Sequence, residues 1–293
     1  MEISEAKSNI RLYGRKSMLT KEEEFVYIES LEFLIEATKD TEYMCELGGY
    51  YYENKKFDLA LKYYEMADEA GDRWAAEGLG YIWYYGRTGE RDYEKAFKYY
   101  SKAAENGNLR SSVKVADMYK NGYYVRKNKK KYRSILESLL PVAENTNRLG
   151  DPLPEVYTRL AAIYKEEGNL SGAAELYLNA KYFLRQRIVY TCFFGDLNIM
   201  SWLIEDLYGI TEFDESNFDL YDLYYLLKTP HCVHFMYEGN EYEVTAETVD
   251  GQTAVKFRDK YYRGVKDFMA KASIGNKKLI ELDRKLYAFE VVR

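Results

Sequence analysis

The sequence of 293 residues is poor in the residue types that disulfide-bonded, metal-binding and membrane-spanning proteins need. It has only three cysteines, four prolines and two histidines. Cys45, Cys192 and Cys232 are scattered and odd in number, so we expect free thiols in a reducing compartment. No segment is long and apolar enough to span a bilayer, and residues 1–14 lack the apolar run of a secretory leader. These absences predict a cytoplasmic protein without a membrane segment.

An excess of one charge is also missing. The 42 basic and 48 acidic residues are interspersed and leave a net charge of −6. This balance disfavours a protein that coats nucleic acid or adheres to a membrane over its whole surface. The sequence contains no Gly-rich phosphate loop, nucleophile elbow or paired catalytic carboxylates, so we predict no cofactor, no metal and no catalytic residue.

Tyrosine, by contrast, is abundant, with 32 copies against 13 phenylalanines and three tryptophans. A tyrosine ring can be buried while its hydroxyl stays in contact with water, which suits thin, two-layer helical stacks. A general compositional bias is the alternative explanation.

Pairs of amphipathic helices recur along the chain, and the clearest pair spans 79–108. Each first helix has an apolar anchor, a small residue directly after it and a large ring four positions on. Each second helix has an anchor followed by apolar residues three, four and seven positions on. The first-helix anchors are Leu47, Leu79, Val115 and Leu160, and the second-helix anchors are Ala60, Ala96, Tyr132 and Ala173. One such pair cannot bury its apolar stripe alone, so the pattern predicts stacked copies.

Local signals predict where several helices begin and end. Thr20 and Glu23 form a capping-box pattern that starts a helix over 21–38, the second half of an incomplete repeat. Residues 1–19 have few apolar positions and are predicted to be a frayed lead-in. Gly86 and Gly122 are placed to end first helices in a left-handed conformation. Pro141 predicts a kink or an early stop in the third pair.

The segments LGYIWYYGRTGERDYEKAFKYYSKAAENGN and VADMYKNGYYVRKNKKKYRSILESLLPVAEN resemble the Sel1-like repeat family. This family is related to the tetratricopeptide repeats but has a longer loop between its helices. LGGYYYENKKFDLALKYYEMADEAGD and LAAIYKEEGNLSGAAELYLNA resemble the shorter tetratricopeptide form. The resemblance covers about 20–185 and extends more weakly to 228. It implies a right-handed α-solenoid that binds proteins or peptides.

The weak extension predicts a degenerate fifth pair. Its anchors would be Leu203 and Leu220, with Ser216 and Asp219 capping the second helix. The second helix of the fourth pair is predicted to run past Ala180 towards Phe194.

After Pro230 the apolar period changes from 3.6 to 2, which predicts strands. Strands are expected over 232–238, 241–249 and 253–257, with turns at Gly239-Asn240 and Asp250-Gly251. A helix from Lys260 to Ala272 and a last strand over 285–292 would follow. The predicted fold is mainly α: a lead-in (1–19), an array of about four and a half to five helix pairs (20–228) and a small β-β-β-α-β unit (231–293) of no recognised family.

The predicted binding site is the helix stripe opposite the buried face. In tetratricopeptide-type arrays this stripe lines the concave surface and binds peptides. The expected contact residues are Tyr52, Glu53, Glu77, Tyr81, Tyr84, Tyr85, Asp117, Lys120, Asn121 and Lys165. The family's carboxylate-clamping Lys and Asn set is absent from these positions, which disfavours an acidic C-terminal tail as ligand. A non-catalytic adaptor that binds an apolar and basic segment is therefore predicted, unless the chain's own tail fills the groove.

Two other functions are weighed against this one. In the tail, 256–285 holds ten Lys or Arg against four Asp or Glu, so the helix of the tail could contact nucleic acid. The helical array would then recruit this C-terminal unit. A second basic run over 126–133 is interpreted as a solvated loop.

The other rival is an enzyme that uses a thiol–imidazole pair. Cys232 and His234 would share one face of a strand. His231 would point to the opposite face, so the two histidines could not hold a metal together. No third group is placed by spacing, and we interpret these residues as structural.

Overall fold

The computed structural model describes residues 1–16, 18–146, 148–191, 194–249 and 251–292. The chain forms two compact units, Met1–Ile135 (unit 1) and Leu136–Arg293 (unit 2). Unit 1 is helical, and unit 2 combines helices with a small antiparallel sheet. The predicted fold class, stacked helix pairs with a C-terminal α+β unit, is confirmed. Cys192 lies outside the described residues.

Unit 1 is a row of helices, and each of the first six contacts the next along the chain. These helices are α1 (Ile3–Tyr13), α2 (Lys21–Thr38), α3 (Thr41–Glu53), α4 (Phe57–Glu69), α5 (Ala75–Tyr85), α6 (Tyr93–Glu105) and α7 (Leu109–Asn121), and α8 (Lys129–Thr146) begins in the same unit. The first helices α3 and α5 of successive pairs also contact each other, so the pairs are stacked.

The repeat positions read from the sequence are the buried ones. Three first-helix anchors and all four second-helix anchors are buried, while Val115 is half-buried. The small residue after an anchor admits a tyrosine ring from the second helix of the same pair. A Cβ on Gly48 would lie 2.9 Å from the Tyr64 ring, and one on Gly80 would lie 2.5 Å from the Tyr100 ring. These approaches are too close for any residue larger than glycine.

The lead-in of residues 1–19 contains helix α1, so the prediction of a frayed end was wrong. Ile3, Ala6, Ile10 and Tyr13 are few, but they fall three and four apart and therefore share one helix face. Ala6 is fully buried, and Ile10 and Tyr13 pack against the core of unit 1. Because α1 packs on α2, the helix over 21–38 belongs to a complete pair rather than an incomplete repeat.

The predicted helix start at Thr20 and the predicted helix ends at Gly86 and Gly122 are confirmed. Glu23 N donates to Thr20 Oγ1 (3.2 Å), and Thr20 N donates to Glu23 Oε2 (3.0 Å). Gly86 (φ 61°) and Gly122 (φ 77°) end α5 and α7 in the left-handed region.

Helix α8 continues through Pro141 to Thr146, so an early stop was the wrong expectation. Pro141 is exposed, whereas Leu139 and Ala143 on either side of it are buried. The buried stripe therefore continues past the proline, and its burial offsets the missing hydrogen bond.

Unit 2 contains three long helices, which pack in sequence. They are α9 (Leu153–Glu166), α10 (Leu170–Thr191) and α11 (Phe194–Tyr208). Helix α10 has the extended length predicted for the second helix of the fourth pair.

The fifth pair has only one long helix. Leu203 and Leu220 are buried as predicted, but the second helix is reduced to a 3-10 turn (Leu220–Asp222) and the single turn α12 (Leu223–Leu226). Ser216 does not cap it, because its N–H and hydroxyl donate to Asp214 Oδ1 (2.9 and 2.6 Å). Asp219 caps the turn instead: its side chain accepts from Tyr221 N (2.9 Å), and its own N–H donates to Asp222 Oδ2 (2.9 Å).

The C-terminal sheet has the strand order β4-β3-β2-β1-β7, and all its neighbours are antiparallel. The elements after Pro230 are β1 (Cys232–Tyr237), β2 (Asn240–Val249), β3 (Gln252–Phe257), β4 (Lys260–Tyr262), α13 (Gly264–Lys271), β5 (Ser273–Ile274), β6 (Lys277–Lys278), α14 (Leu279–Leu282), a 3-10 turn (Asp283–Lys285) and β7 (Tyr287–Val292). The strands β5 and β6 form a separate two-residue ladder.

Two details of the tail differ from the prediction. Lys260 begins a fourth strand instead of a helix, because Arg258 (φ 56°) allows a tight turn that pairs Lys260 with Phe257. The first turn is centred on Glu238 and Gly239 rather than on Gly239 and Asn240, and it pairs Tyr237 with Asn240. At the second turn Gly251 has φ 76°, while Asp250 lies outside the described residues.

Within unit 2 the sheet region is attached to the long helices. α13 contacts β3 and α11, and α14 contacts α10. Arg185 on α10 donates from Nε to Asp283 and from Nη1 to Asp219 (3.0 Å). The division of the chain at residues 228–231 remains a prediction. In the described ranges, no helix combines the length and apolar character needed to cross a membrane.

Candidate functional site

Tyrosines from α3 and α5 form a cluster on unit 1 that we call the tyrosine surface. It consists of Tyr52, Tyr81, Tyr84 and Tyr85 together with the cations Arg87 and Lys114. All four tyrosines were predicted as contact residues. Tyr85 is the most accessible, with 38% of its surface exposed.

Helix geometry places the three α5 tyrosines side by side. Tyr81 and Tyr85, four residues apart, are stacked with centroids 5.9 Å apart, and Tyr84 meets Tyr85 edge-on at 4.9 Å. Tyr81 and Tyr84 both contact the buried Tyr100 ring, at 5.8 and 6.0 Å. Gly80 therefore helps to position these tyrosines, because its lack of a side chain lets the Tyr100 ring come close to α5.

Burial raises the pKa of both Tyr81 and Tyr84 to about 12. Their hydroxyls, like that of an ordinary tyrosine, are protonated at neutral pH and can donate hydrogen bonds to a ligand.

Two cations lie over these rings. Lys114 Nζ donates to Tyr85 Oη (2.9 Å) and lies 5.2–5.3 Å from the ring centroids of Tyr81, Tyr84 and Tyr85. Arg87 Nε donates to Tyr52 Oη (3.1 Å), and its guanidinium lies 5.1 Å from the Tyr85 centroid. These cation–π contacts link α3, α5 and α7 across successive pairs.

A second group of polar side chains lies on the hairpin of β1 and β2 in unit 2. Cys232 pairs with Thr245 and His234 pairs with Glu243, so these four side chains share one face, as predicted for Cys232 and His234. His234 Nε2 is 3.2 Å from Glu243 Oε2, and His234 Nδ1 is 3.0 Å from Glu241 Oε1. Burial raises the pKa of Cys232, which disfavours the reactive thiolate that the enzyme hypothesis requires.

Several solved structures are similar to this chain, and two of them are Sel1-like repeat proteins. The Sel1 repeat protein from Oxalobacter formigenes is 19% identical, with a TM-score of 0.50, and the match covers 70% of this chain and 74% of that one. The chain has the Sel1-like repeat fold. The resemblance inferred from the repeat residues is thus confirmed for the fold.

A second solved structure is that of c5321, a protective antigen present in uropathogenic Escherichia coli strains and displaying a Sel1-like repeat fold. It is 20% identical, with a TM-score of 0.45, and the match covers 63% of this chain but 44% of the antigen. No protein-family model matches the sequence, and no curated protein matches it either.

The other predicted contact residues have different surroundings. Glu53 is exposed, and Glu77 accepts a hydrogen bond from Asn108 Nδ2 (2.7 Å). The negative charge of Asp117 is the second cause, after burial, of the raised pKa of Tyr84. Asp117 therefore borders the tyrosine surface. Asn121 Nδ2 donates to the backbone oxygen of Asp117 at 2.9 Å.

Two predicted lysines have partners away from the tyrosine surface. Lys120 Nζ lies 5.5 Å from the Tyr132 ring centroid. Lys165 belongs to unit 2 and forms an ion pair with Asp206 (2.7 Å).

The cations Arg87 and Lys114 were missed because the predicted stripe was defined only by helix positions opposite each anchor. Arg87 lies in the loop that follows α5, and Lys114 directly precedes the anchor Val115. The tyrosine content of α5, with rings that attract cations, was the only available signal for them.

The basic segments are the candidates of the nucleic-acid hypothesis. Residues 126–131 are exposed, but only 126–128 lie in a loop; α8 begins at Lys129, so the prediction of a loop is wrong for 129–133. On α13, Lys271 pairs with Asp267 (2.5 Å).

Proposed function

We propose that this Sel1-like repeat chain is a non-catalytic scaffold that binds a protein or peptide on the tyrosine surface of unit 1. The observation that carries the proposal is the row of half-buried rings on α3 and α5, cross-linked by Arg87 and Lys114. Tyrosine and arginine dominate the binding energy of many protein interfaces. Their rings provide a large contact area with little loss of conformational entropy.

The surface is also held in place before a ligand arrives. Tyr81 and Tyr84 rest on the buried Tyr100, while Tyr85 and Tyr52 are held by hydrogen bonds to Lys114 and Arg87. Ordered side chains lower the entropic cost of binding. We propose an extended or helical ligand segment whose apolar side chains lie against the tyrosine rings.

Charge selection by this surface was expected to favour basic ligands. Glu77 is engaged by Asn108, and two cations lie among the rings, so both signs of charge are present. We therefore assign the main contribution to the rings and propose a smaller role for Glu53 and Asp117.

The test uses the two outer tyrosines of the surface rather than Tyr81 and Tyr84. Tyr81 and Tyr84 contact the buried Tyr100, so their loss would disturb packing as well as binding. Tyr52→Ala combined with Tyr85→Ala removes the outer rings, and Phe25→Ala is the matched control, since Phe25 is 65% exposed on α2. Proteins captured from the native cell extract by the wild type are expected to be lost with the double variant and retained with Phe25→Ala.

Tyr85→Phe separates the ring from its hydroxyl and should retain most of the capture. If the Tyr52 and Tyr85 double variant is folded by circular dichroism and captures the same proteins as the wild type, the tyrosine surface is not the binding site.

A further inference from the structure

The β1–β2 hairpin brings three metal-ligand types together on its exposed face. The Sγ of Cys232, a ring nitrogen of His234 and a carboxylate oxygen of Glu243 all lie within 4.8 Å of one another. Cys232 and His234 are two apart on β1, and His234 pairs with Glu243 on β2 and with Glu290 on β7. The two-residue turn at Glu238 and Gly239 fixes this register, so the fold itself determines the grouping.

We propose that Cys232, His234 and Glu243 bind one Zn²⁺ ion. Thiolate, imidazole and carboxylate are the three side-chain ligands of zinc. The sulfur ligand disfavours Mg²⁺ and Ca²⁺, which prefer all-oxygen sites. Three protein ligands leave a fourth tetrahedral position for water or a ligand group.

The distances between the three donor atoms agree with a zinc site once the side chains move slightly closer together. Zinc–ligand bonds of 2.0–2.3 Å place tetrahedral ligand atoms roughly 3.3–3.8 Å apart. His234 Nε2 and Glu243 Oε2 are already 3.2 Å apart. Cys232 needs only a side-chain adjustment, because all three donors lie within 4.8 Å. When the sulfur–zinc bond forms, the thiol gives its proton to solvent and no electron is transferred.

A second layer of polar groups orients these ligands. His234 Nδ1 contacts Glu241 Oε1 at 3.0 Å, which leaves Nε2 facing Glu243 and available for the ion. A carboxylate on the far nitrogen of a zinc-binding histidine is a recurrent arrangement that fixes the ring. Thr245 Oγ1, 3.2 Å from Glu243 Oε1, holds the carboxylate.

The site is open to solvent on one side. Cys232 is half-buried, and the side chains of His234 and Glu243 are 27% and 58% exposed. A cavity of about 390 Å³ lined by Cys232, Thr245 and Val292 adjoins the thiol. An ion can therefore reach the ligands without opening the core, and the fourth ligand has room.

Titration of the reduced full-length protein with Co²⁺, a spectroscopic substitute for zinc, tests the site. We expect saturation at one ion per chain, a thiolate-to-cobalt charge-transfer band in the near ultraviolet, and loss of the band when Zn²⁺ is added. Cys232→Ser should abolish the band, and His234→Ala or Glu243→Ala should weaken binding more than about 100-fold. Glu241→Gln, which acts through His234, should weaken it by about 10–100-fold.

Matched controls come from the same chain. His231→Ala removes the other histidine, whose Nδ1 contacts Thr229 Oγ1 at 3.0 Å, and it should leave cobalt affinity unchanged. Cys45→Ser and Cys192→Ser remove the other two thiols and should keep the band. The inference is overturned if the wild type gives no charge-transfer band, if the band survives Cys232→Ser, or if His231→Ala weakens binding as much as His234→Ala does.

Discussion

Single glycines determine how closely the helices of unit 1 approach one another. Tyr64 lies between Gly48 of its own pair and Gly78 of the next, and added Cβ atoms would be 2.9 and 2.6 Å from its ring. One ring thus fills the space between two first helices. A repeat built this way needs a small residue on the first helix wherever the second helix contributes a tyrosine.

This kind of packing predicts opposite changes in stability when two glycines of equivalent helices, Gly80 and Gly49, are replaced by alanine. In Gly80→Ala the new methyl would lie 2.5 Å from the fully buried Tyr100 ring, which should cost about 1–3 kcal/mol of stability. In Gly49→Ala the nearest atom is Tyr64 Oη at 3.6 Å, so only the gain in helix propensity remains, about 0.5–1 kcal/mol. Urea unfolding should show a lower midpoint for Gly80→Ala and a higher one for Gly49→Ala. Equal shifts in the same direction would contradict this packing account.

Residues of the candidate site were predictable where their position on a helix determined their exposure. The four tyrosines of the tyrosine surface were found this way. Lys114 and Arg87 were not, because their role depends on rings supplied by other helices. Glu243 was missed for a related reason: only the register of the hairpin shows that it faces His234.

At the scale of elements, the helix ends that depend on neighbouring residues were predictable from the sequence, whereas the strand register was not. The capping box at Thr20 and the glycine stops at Gly86 and Gly122 each depend on a few neighbouring residues. The turn after β1 shows the opposite case, since a turn at Gly239 and Asn240 would pair His234 with Thr245. The observed turn uses Glu238 in the left-handed region (φ 48°), a conformation rare for glutamate, and this moves Glu243 opposite His234.

Asp72 stabilises the start of α5 and gives unit 1 a defined acid sensitivity. Its Oδ1 accepts from Trp74 N (2.6 Å) and Ala75 N (3.0 Å), and its Oδ2 accepts from Thr41 Oγ1 (2.9 Å). Burial opposes the charge on Asp72, but these hydrogen bonds outweigh it and lower the Asp72 pKa. A lowered pKa in the folded state means that the stabilisation is present above the unfolded-state pKa of about 3.9 and is lost as the pH falls through the folded-state value.

We therefore expect Asp72→Ala to lower the free energy of unfolding by about 1 kcal/mol at pH 7, as for other capping residues. The difference from the wild type should begin to shrink below about pH 4, where Asp72 is protonated in the unfolded chain, and should be lost as the pH falls through the lower folded-state pKa. Asp72→Asn, which keeps an acceptor without the charge, should lose less and depend less on pH. Urea unfolding at pH 7, 4 and 3 measures all three proteins, and a difference between wild type and Asp72→Ala that does not change with pH would refute the assignment.

At the scale of the whole molecule, the change of apolar period after Pro230 marks a change of secondary structure inside unit 2. Beyond it, α13 and α14 pack on α11 and α10. Arg185 and Lys181 on α10 face Asp219, Asp222 and Asp283, with Lys181 Nζ at 2.7 Å from Asp222 Oδ1. Asp222 and Asp283 are almost fully buried, so their charges depend on these two cations.

Truncation of the chain after Pro230 should consequently destabilise α10 and α11, although both helices remain in the fragment. It removes Asp283 from Arg185 and uncovers the faces of α10 and α11 that α14 and α13 cover. Amide hydrogen exchange followed by mass spectrometry should show faster exchange over 170–208 in the fragment than in the full chain. Helices α3 to α6, whose core lies in unit 1, provide the internal reference.

Arg185→Gln in the full chain removes only the charged contacts of Arg185 and leaves α13 and α14 in place. Removing one partner of a buried charge pair typically costs about 3–5 kcal/mol, so this variant should also speed exchange in α10, but by less than the truncation does. Unchanged protection of α10 and α11 after truncation would mean that the sheet region is an independent appendage and that the long helices of unit 2 are stable without it. The expected loss would instead mean that α13 and α14 complete the last helix pair, whose second helix is only a short turn, by supplying the apolar cover that a full helix provides elsewhere in the chain.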